Sequence, residues 1–100
     1  MLSDEQIYNS LTKVKDPELG LDIVSLGLIY KITQVAGKVS VLMTMTFPGC
    51  PYGPQLVEGA KKEVRKLKGV EEVEVEVTFN PPWDLSMIAP EAKMYLGIKN

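Results

Sequence analysis

The chain switches between two hydrophobic periods, and the switch points divide it into elements. Ile7, Leu11 and Val14 recur at helical spacing. Ser3 and Gln6 have the spacing of a capping box, and Asp4 and Glu5 fall in the first turn, where the helix dipole favours acids. The pattern predicts a first helix over 4–14, stopped at Asp16-Pro17 because the residue before a proline avoids helical geometry. Residues 16–27 then form a long connection. Its Leu19, Ile23, Val24 and Leu26 predict that it is packed down, and long ordered connections are often functional.

Period two follows. A strand is predicted over 28–35, with Leu28, Tyr30 and Ile32 on one face, and Ala36-Gly37 reads as a hairpin turn. The next strand, 38–47, sets Val39, Val41, Met43, Met45 and Phe47 on one face and Ser40, Leu42, Thr44 and Thr46 on the other. From Pro51 or Pro54 to Lys68 the period is helical again, with Val57, Ala60, Val64 and Leu67 as the apolar stripe and basic residues outside it. Gly69 suits a left-handed helix stop. A third strand is predicted over 72–79, with Val73, Val75, Val77 and Phe79 facing in. Asn80-Pro81-Pro82-Trp83 breaks it, and a last helix over 90–96 sits between Pro90 and Gly97. The order α-β-β-α-β-α implies a two-layer α+β sandwich, in which helices cover the apolar face of a small three-stranded sheet. Strand order stays open, because a helical crossover lets the third strand pair with either neighbour.

A length of 100 residues predicts a single domain over 1–100. A net charge of −2 and a pI near 5.1 argue against a nucleic-acid partner. No apolar run approaches the roughly 20 residues that span a bilayer, and the first residues lack the character of a signal peptide. A cytoplasmic protein is the expectation. Histidine is absent and cysteine occurs once, so the chain cannot pair Cys with His or Ser with His, and cannot build a Cys/His zinc site or an internal disulfide.

That one cysteine, Cys50, is the leading candidate for chemistry. If the second helix starts at Pro51, Cys50 is its N-cap, and the free N–H groups and helix dipole favour the thiolate. The thiolate binds soft metals. The competing reading is a buried, inert side chain. The rigid surround of Pro48, Gly49, Pro51 and Gly53 weighs against it. Asp16 and Glu18, with Asp22 nearby, can do acid–base work or bind cations, or they can simply build turns. Thr46 stands four residues before Cys50. Met43 and Met45 read as core. Trp83 either lids a cleft or seals one end of the core.

Four motifs in order, Asp16-Pro17-Glu18-Leu19-Gly20, Ile23 to Tyr30, Met43-Thr44-Met45-Thr46 followed by Pro48-Gly49-Cys50-Pro51, and Pro81-Pro82-Trp83, resemble the SufT/PaaD-like family formerly called domain of unknown function 59. Glu91-Ala92 and Leu96-Gly97 extend the match over nearly the whole chain. The resemblance implies an accessory factor in iron–sulfur cluster assembly or transfer to apo-proteins, not an enzyme. It implies a cleft of Asp16, Glu18, Leu19, Thr46 and Cys50 with Trp83 nearby. Cys50 would ligate a transient iron–sulfur cluster or iron. Phe47 departs from the Thr of many relatives, and without a cysteine-rich tail the chain resembles the stand-alone SufT type. One sulfur falls short of the roughly four thiolate-type ligands of a cluster, so a second copy, a partner or a small thiol must complete it. The implied partners are scaffold or carrier proteins and apo clients, and a homodimer is a natural form. Two other readings stand beside this one. The first is a non-metal adaptor binding clients through the cleft and the Trp83 loop. The second is a cysteine enzyme, whose base would have to be Asp16 or Glu18.

Overall fold

The computed structural model describes residues 3–17, 19–46, 49 and 51–97, with Tyr95 and Leu96 described in their backbone only. The element order is α1 (Asp4–Leu11), β1 (Ile29–Val35), β2 (Lys38–Met43), α2 (Gly53–Arg65), β3 (Glu72–Val77), a short 3₁₀ turn (Leu85–Met87) and α3 (Pro90–Leu96). It is the expected α+β arrangement. The sheet order is β1-β2-β3, with β1 antiparallel and β3 parallel to the central β2. Parallel neighbours need a crossover, and α2 supplies it while packing on β3 and on α1.

The capping box forms as its spacing predicts: Gln6 N–H donates to Ser3 Oγ at 3.2 Å, and Ser3 N–H donates to Gln6 Oε1 at 2.9 Å. The helix nevertheless ends at Leu11 rather than Val14. Ser10 and Thr12 hydroxyls donate back to the carbonyls of Ile7 and Asn9, at 2.7 and 2.6 Å, and the last bonds tighten to Lys13 N–H on Ser10 O and Val14 N–H on Leu11 O. Val14 O is thereby freed to accept from Ile23 N–H at 2.9 Å, and the backbones of Lys15 and Asp22 pair as an isolated antiparallel β-bridge. The long connection is tied to the end of α1 and buried through Ile23 and Leu26, both 0% exposed. Each such side chain stabilises the fold by about 1.5–3 kcal/mol.

The Ala36-Gly37 turn has positive φ at both positions, 49° and 85°, the geometry of a two-residue hairpin. Along β1 the expected face is corrected. Ile29 pairs with Met43 but Lys31 pairs with Leu42, so one extra residue, Tyr30, is bulged out. Ile29 and Ile32 pack on the core, and the Tyr30 hydroxyl instead donates to Pro81 O at 2.8 Å. β2 ends at Met43, short of the predicted Phe47 (itself outside the described residues), because its neighbours run out there. Val77 is the last β3 partner, and beyond it, among the described residues, Thr44 N–H reaches Leu28 O and Thr78 N–H reaches Met43 O. β3 ends at Val77 rather than Phe79, where Thr78 Oγ1 accepts from Asn80 N–H at 3.2 Å and turns the chain. The core runs from Ile7 and Leu11 of α1 through Val39, Val41 and Met43 of β2 to Leu56, Ala60 and Val64 of α2. Leu56 takes the central position that the sequence pattern gave to Val57, which is half-buried. α3 runs from Pro90 to Leu96 and stops at Gly97 with φ 75°, as expected.

Candidate functional site

Asp16 begins the first loop and is 3% exposed. Its N–H donates to Leu21 O at 2.9 Å, its carbonyl accepts from Gly20 N–H at 2.8 Å, and its Oδ1 accepts from Leu19 N–H at 3.1 Å. The carboxylate ties Leu19 back to the start of the loop through a side-chain bond three residues long. Leu19 is half-buried against the core. Asp22 organises the next segment in the same way. Its Oδ2 accepts from the N–H groups of Val24 and Ser25 at 3.0 and 2.9 Å, and its Oδ1 accepts from Ser25 Oγ at 2.7 Å.

Trp83 is fastened to the core. Its indole N–H donates to Leu26 O at 2.7 Å, and the ring packs half-buried on the core. Two further ties fasten the same pair of segments. Ala89 N–H donates to Ser25 O at 2.8 Å, and Gly27, at φ 77°, passes so close to Met87 that a Cβ would lie 2.1 Å from the Met87 carbonyl oxygen. Asp84 caps the 3₁₀ turn, accepting from Ser86 N–H at 2.8 Å and from the Ser86 hydroxyl. Those two bonds, the hydroxyl's first, hold the Asp84 carboxyl below its ordinary value.

Asp16 and Leu19 share one loop. Thr46 is half-buried in the bend after β2, next to Thr44, which is fully buried. Trp83 is tied to the 22–27 turn. Glu18 and Cys50 lie outside the described residues. Among the described residues, no three His, Cys, Asp or Glu side chains come together as a metal site. One sequence expectation about Cys50 is corrected: α2 begins at Gly53 with Tyr52 as its N-cap. Pro51 and Tyr52 form a turn ahead of the helix, with Pro54 in its first turn, so Cys50 is not the N-cap. The dipole acts over the first turn only, which removes the capping argument for its thiolate.

The sequence pattern missed a groove beside the same loop. Met45, Gly49, Gly53, Pro54, Val57, Glu58, Val77 and Phe79 line a space of about 420 Å³. Val77 and Phe79, expected to face inward, are 38% and 40% exposed. The apolar end of β3 faces the start of α2, where Gly53 and Pro54 put little side chain over it. A small-residue helix start opposite an apolar strand end is the signal that points to such a groove.

Residues 4–77 match the family described as iron-sulfur cluster assembly protein. This chain belongs to that family. The iron–sulfur assembly domain is 42% identical over 96 residues to the Fe-S protein maturation auxiliary factor YitW of Bacillus subtilis, covering 95% of this chain and 94% of that protein. It is 42% identical over 86 residues to the Fe-S protein maturation auxiliary factor SufT of Staphylococcus aureus, covering 85% and 98%. The crystal structure of a domain of unknown function 59 from Bacillus anthracis matches with a TM-score of 0.89 at 42% identity, over 95% of this chain and 92% of that one. The fold is therefore that of the SufT-like proteins.

Proposed function

We propose that this protein is a non-catalytic accessory factor in the maturation of iron–sulfur proteins, passing a cluster or iron to apo-proteins. The observation that carries the reading is similarity to two maturation auxiliary factors over nearly their full lengths. The cluster is cargo, and the chain's own chemistry explains why it is held loosely. There is one cysteine and no histidine, so the protein offers at most one strong soft ligand, Cys50. A cluster needs about four, and the others must come from a carrier, an apo client, a small thiol or a second copy. Incomplete ligation favours transfer over storage.

In this reading Asp16 has a positioning role. Its carboxylate fixes the loop that carries Glu18 and Leu19. Glu18 accepts a proton or touches iron as Cys50 binds, and Thr46 borders the thiolate. Trp83 stabilises the neighbouring turn rather than contacting cargo. That weakens the adaptor reading through the Trp83 loop, since the indole N–H is committed to Leu26. The protein acts as a single domain in the cytoplasm. No helix among the described residues is long and apolar enough to cross a membrane.

The test is complementation. In cells lacking the protein, activity of cluster-dependent enzymes should fall while their protein levels hold. Wild type should restore it and Cys50→Ser should not. Undiminished cluster-enzyme activity in the deletion strain would refute the assignment.

A further inference from the structure

The outer face of α2 changes character along its length. Pro54, Val57, Glu58, Lys61 and Arg65 follow helical spacing and form one stripe about 16 Å long. Its first half borders the apolar groove under Val77 and Phe79. Its second half, with Lys62 and Lys66 beside it, lines a shallow depression of about 460 Å³. Glu58 borders both, so the two adjoin there. Lys66 is held by Glu63 at 3.0 Å and Lys61 loosely by Glu58 at 3.9 Å. Lys62 and Arg65 have no acidic partner among the described residues, in a protein whose net charge is −2.

We infer that this face is a docking surface for an acidic, amphipathic segment of a partner protein. One aliphatic or aromatic side chain of the segment enters the groove between Val57 and Val77. Carboxylates one and two helical turns further along pair with Lys62 and Arg65. Charge complementarity selects the acid, because two unpaired cations on a fixed helix favour anions and repel basic segments. The concave groove selects a protein side chain, since a membrane-binding helix would present a convex apolar face instead. A nucleic acid would want bases stacked on aromatic rings beside the cations, and the basic half of the stripe carries none. Gly49, one residue before Cys50 in the sequence, lines the groove. The inference rests on the partner-dependent reading above and names the chemistry of that partner.

The probe is a synthetic 14-residue peptide with Phe near one end and Glu one and two helical turns later, titrated into isotope-labelled protein and followed by NMR. Amide shifts should cluster at Met45, Val57, Lys62, Arg65 and Val77. Lys62→Glu with Arg65→Glu should weaken binding at least about tenfold, and a peptide with Lys in place of Glu should restore it. Both positions are exposed, so the double variant should melt like wild type. The inference is overturned by scattered or absent shifts, or by equal binding of the Lys peptide to wild type. Tighter binding of anionic vesicles or of a single-stranded oligonucleotide would also overturn it, as would concentration-dependent shifts on this face without peptide, which would place a second copy there. Cys50→Ser should bind the peptide as wild type does. Lost peptide binding with intact complementation therefore removes the docking surface alone, and lost complementation with intact peptide binding removes the cluster role alone.

Discussion

The indole N–H of Trp83 donates to the carbonyl of Leu26 across 57 residues of sequence, at 2.7 Å. This bond joins two of the motifs that mark the family and gives both a structural reason. The turn 22–27 and the segment 83–89 hold each other, and the loop carrying Asp16 leans on that turn through the backbone β-bridge of Lys15 with Asp22.

Trp83→Phe keeps most of the ring packing and leaves the Leu26 carbonyl without this donor. It should cost about 1–2 kcal/mol in chemical denaturation. Trp83 is the only tryptophan, so its emission in the wild type reports opening of this contact directly. A change below a few tenths of a kcal/mol would show the bond to be incidental.

Gly27→Ala should be much worse than Gly20→Ala. Both glycines have positive φ, 77° and 73°, which costs an alanine about 1–2 kcal/mol. At Gly20 a Cβ would meet nothing within 4 Å, whereas at Gly27 it would lie 2.1 Å from a backbone oxygen and 2.7 Å from the carbonyl carbon of Met87. Backbone must move there, for a further loss of about 2 kcal/mol or more by the scale of overpacking. Equal melting temperatures for the two variants would contradict the close approach.

These close approaches also show what a sequence can and cannot disclose. The capping box, the Ala36-Gly37 turn and the span of α3 were legible because each is a local residue choice with one dominant geometry. The Tyr30 bulge was not, because a period-two pattern with one added residue still looks like a strand, and only the pairing of Ile29 and Lys31 exposes the slip. The ends of β2 and β3 depended on where neighbours stop. The start of α2 at Gly53 was ambiguous between two prolines. Of the site, the Asp16 turn was readable from Asp-Pro. The groove at Val77 and Phe79 was not, because exposure at a strand end is set by what α2 fails to cover.

Lys38, the first residue of the central β2, bridges to β3, with Nζ 3.1 Å from Glu74 and 3.4 Å from Glu72. The hydrogen bond to Glu74 and its charge, then those of Glu72, raise the Lys38 pKa above the ordinary 10.5. The folded state thus holds the proton more tightly than the unfolded chain. The stabilisation is complete below 10.5 and is lost as pH rises through the higher folded value. Lys38→Met should melt slightly below wild type at neutral pH, with the gap closing in strongly alkaline buffer. High salt should shrink the gap at neutral pH, since the pair is exposed. A gap that widens with alkaline pH would reverse the assignment.

The central claim is that Cys50 supplies one ligand of a shared, incomplete site. Anaerobic reconstitution with iron and sulfide, wild type beside Cys50→Ser, tests it most directly when a small thiol is present to complete the ligand set. Wild type should develop visible charge-transfer absorption that a chelator removes quickly, and Cys50→Ser should stay colourless. Colourless spectra for both proteins, or equal colour in both, would contradict the claim.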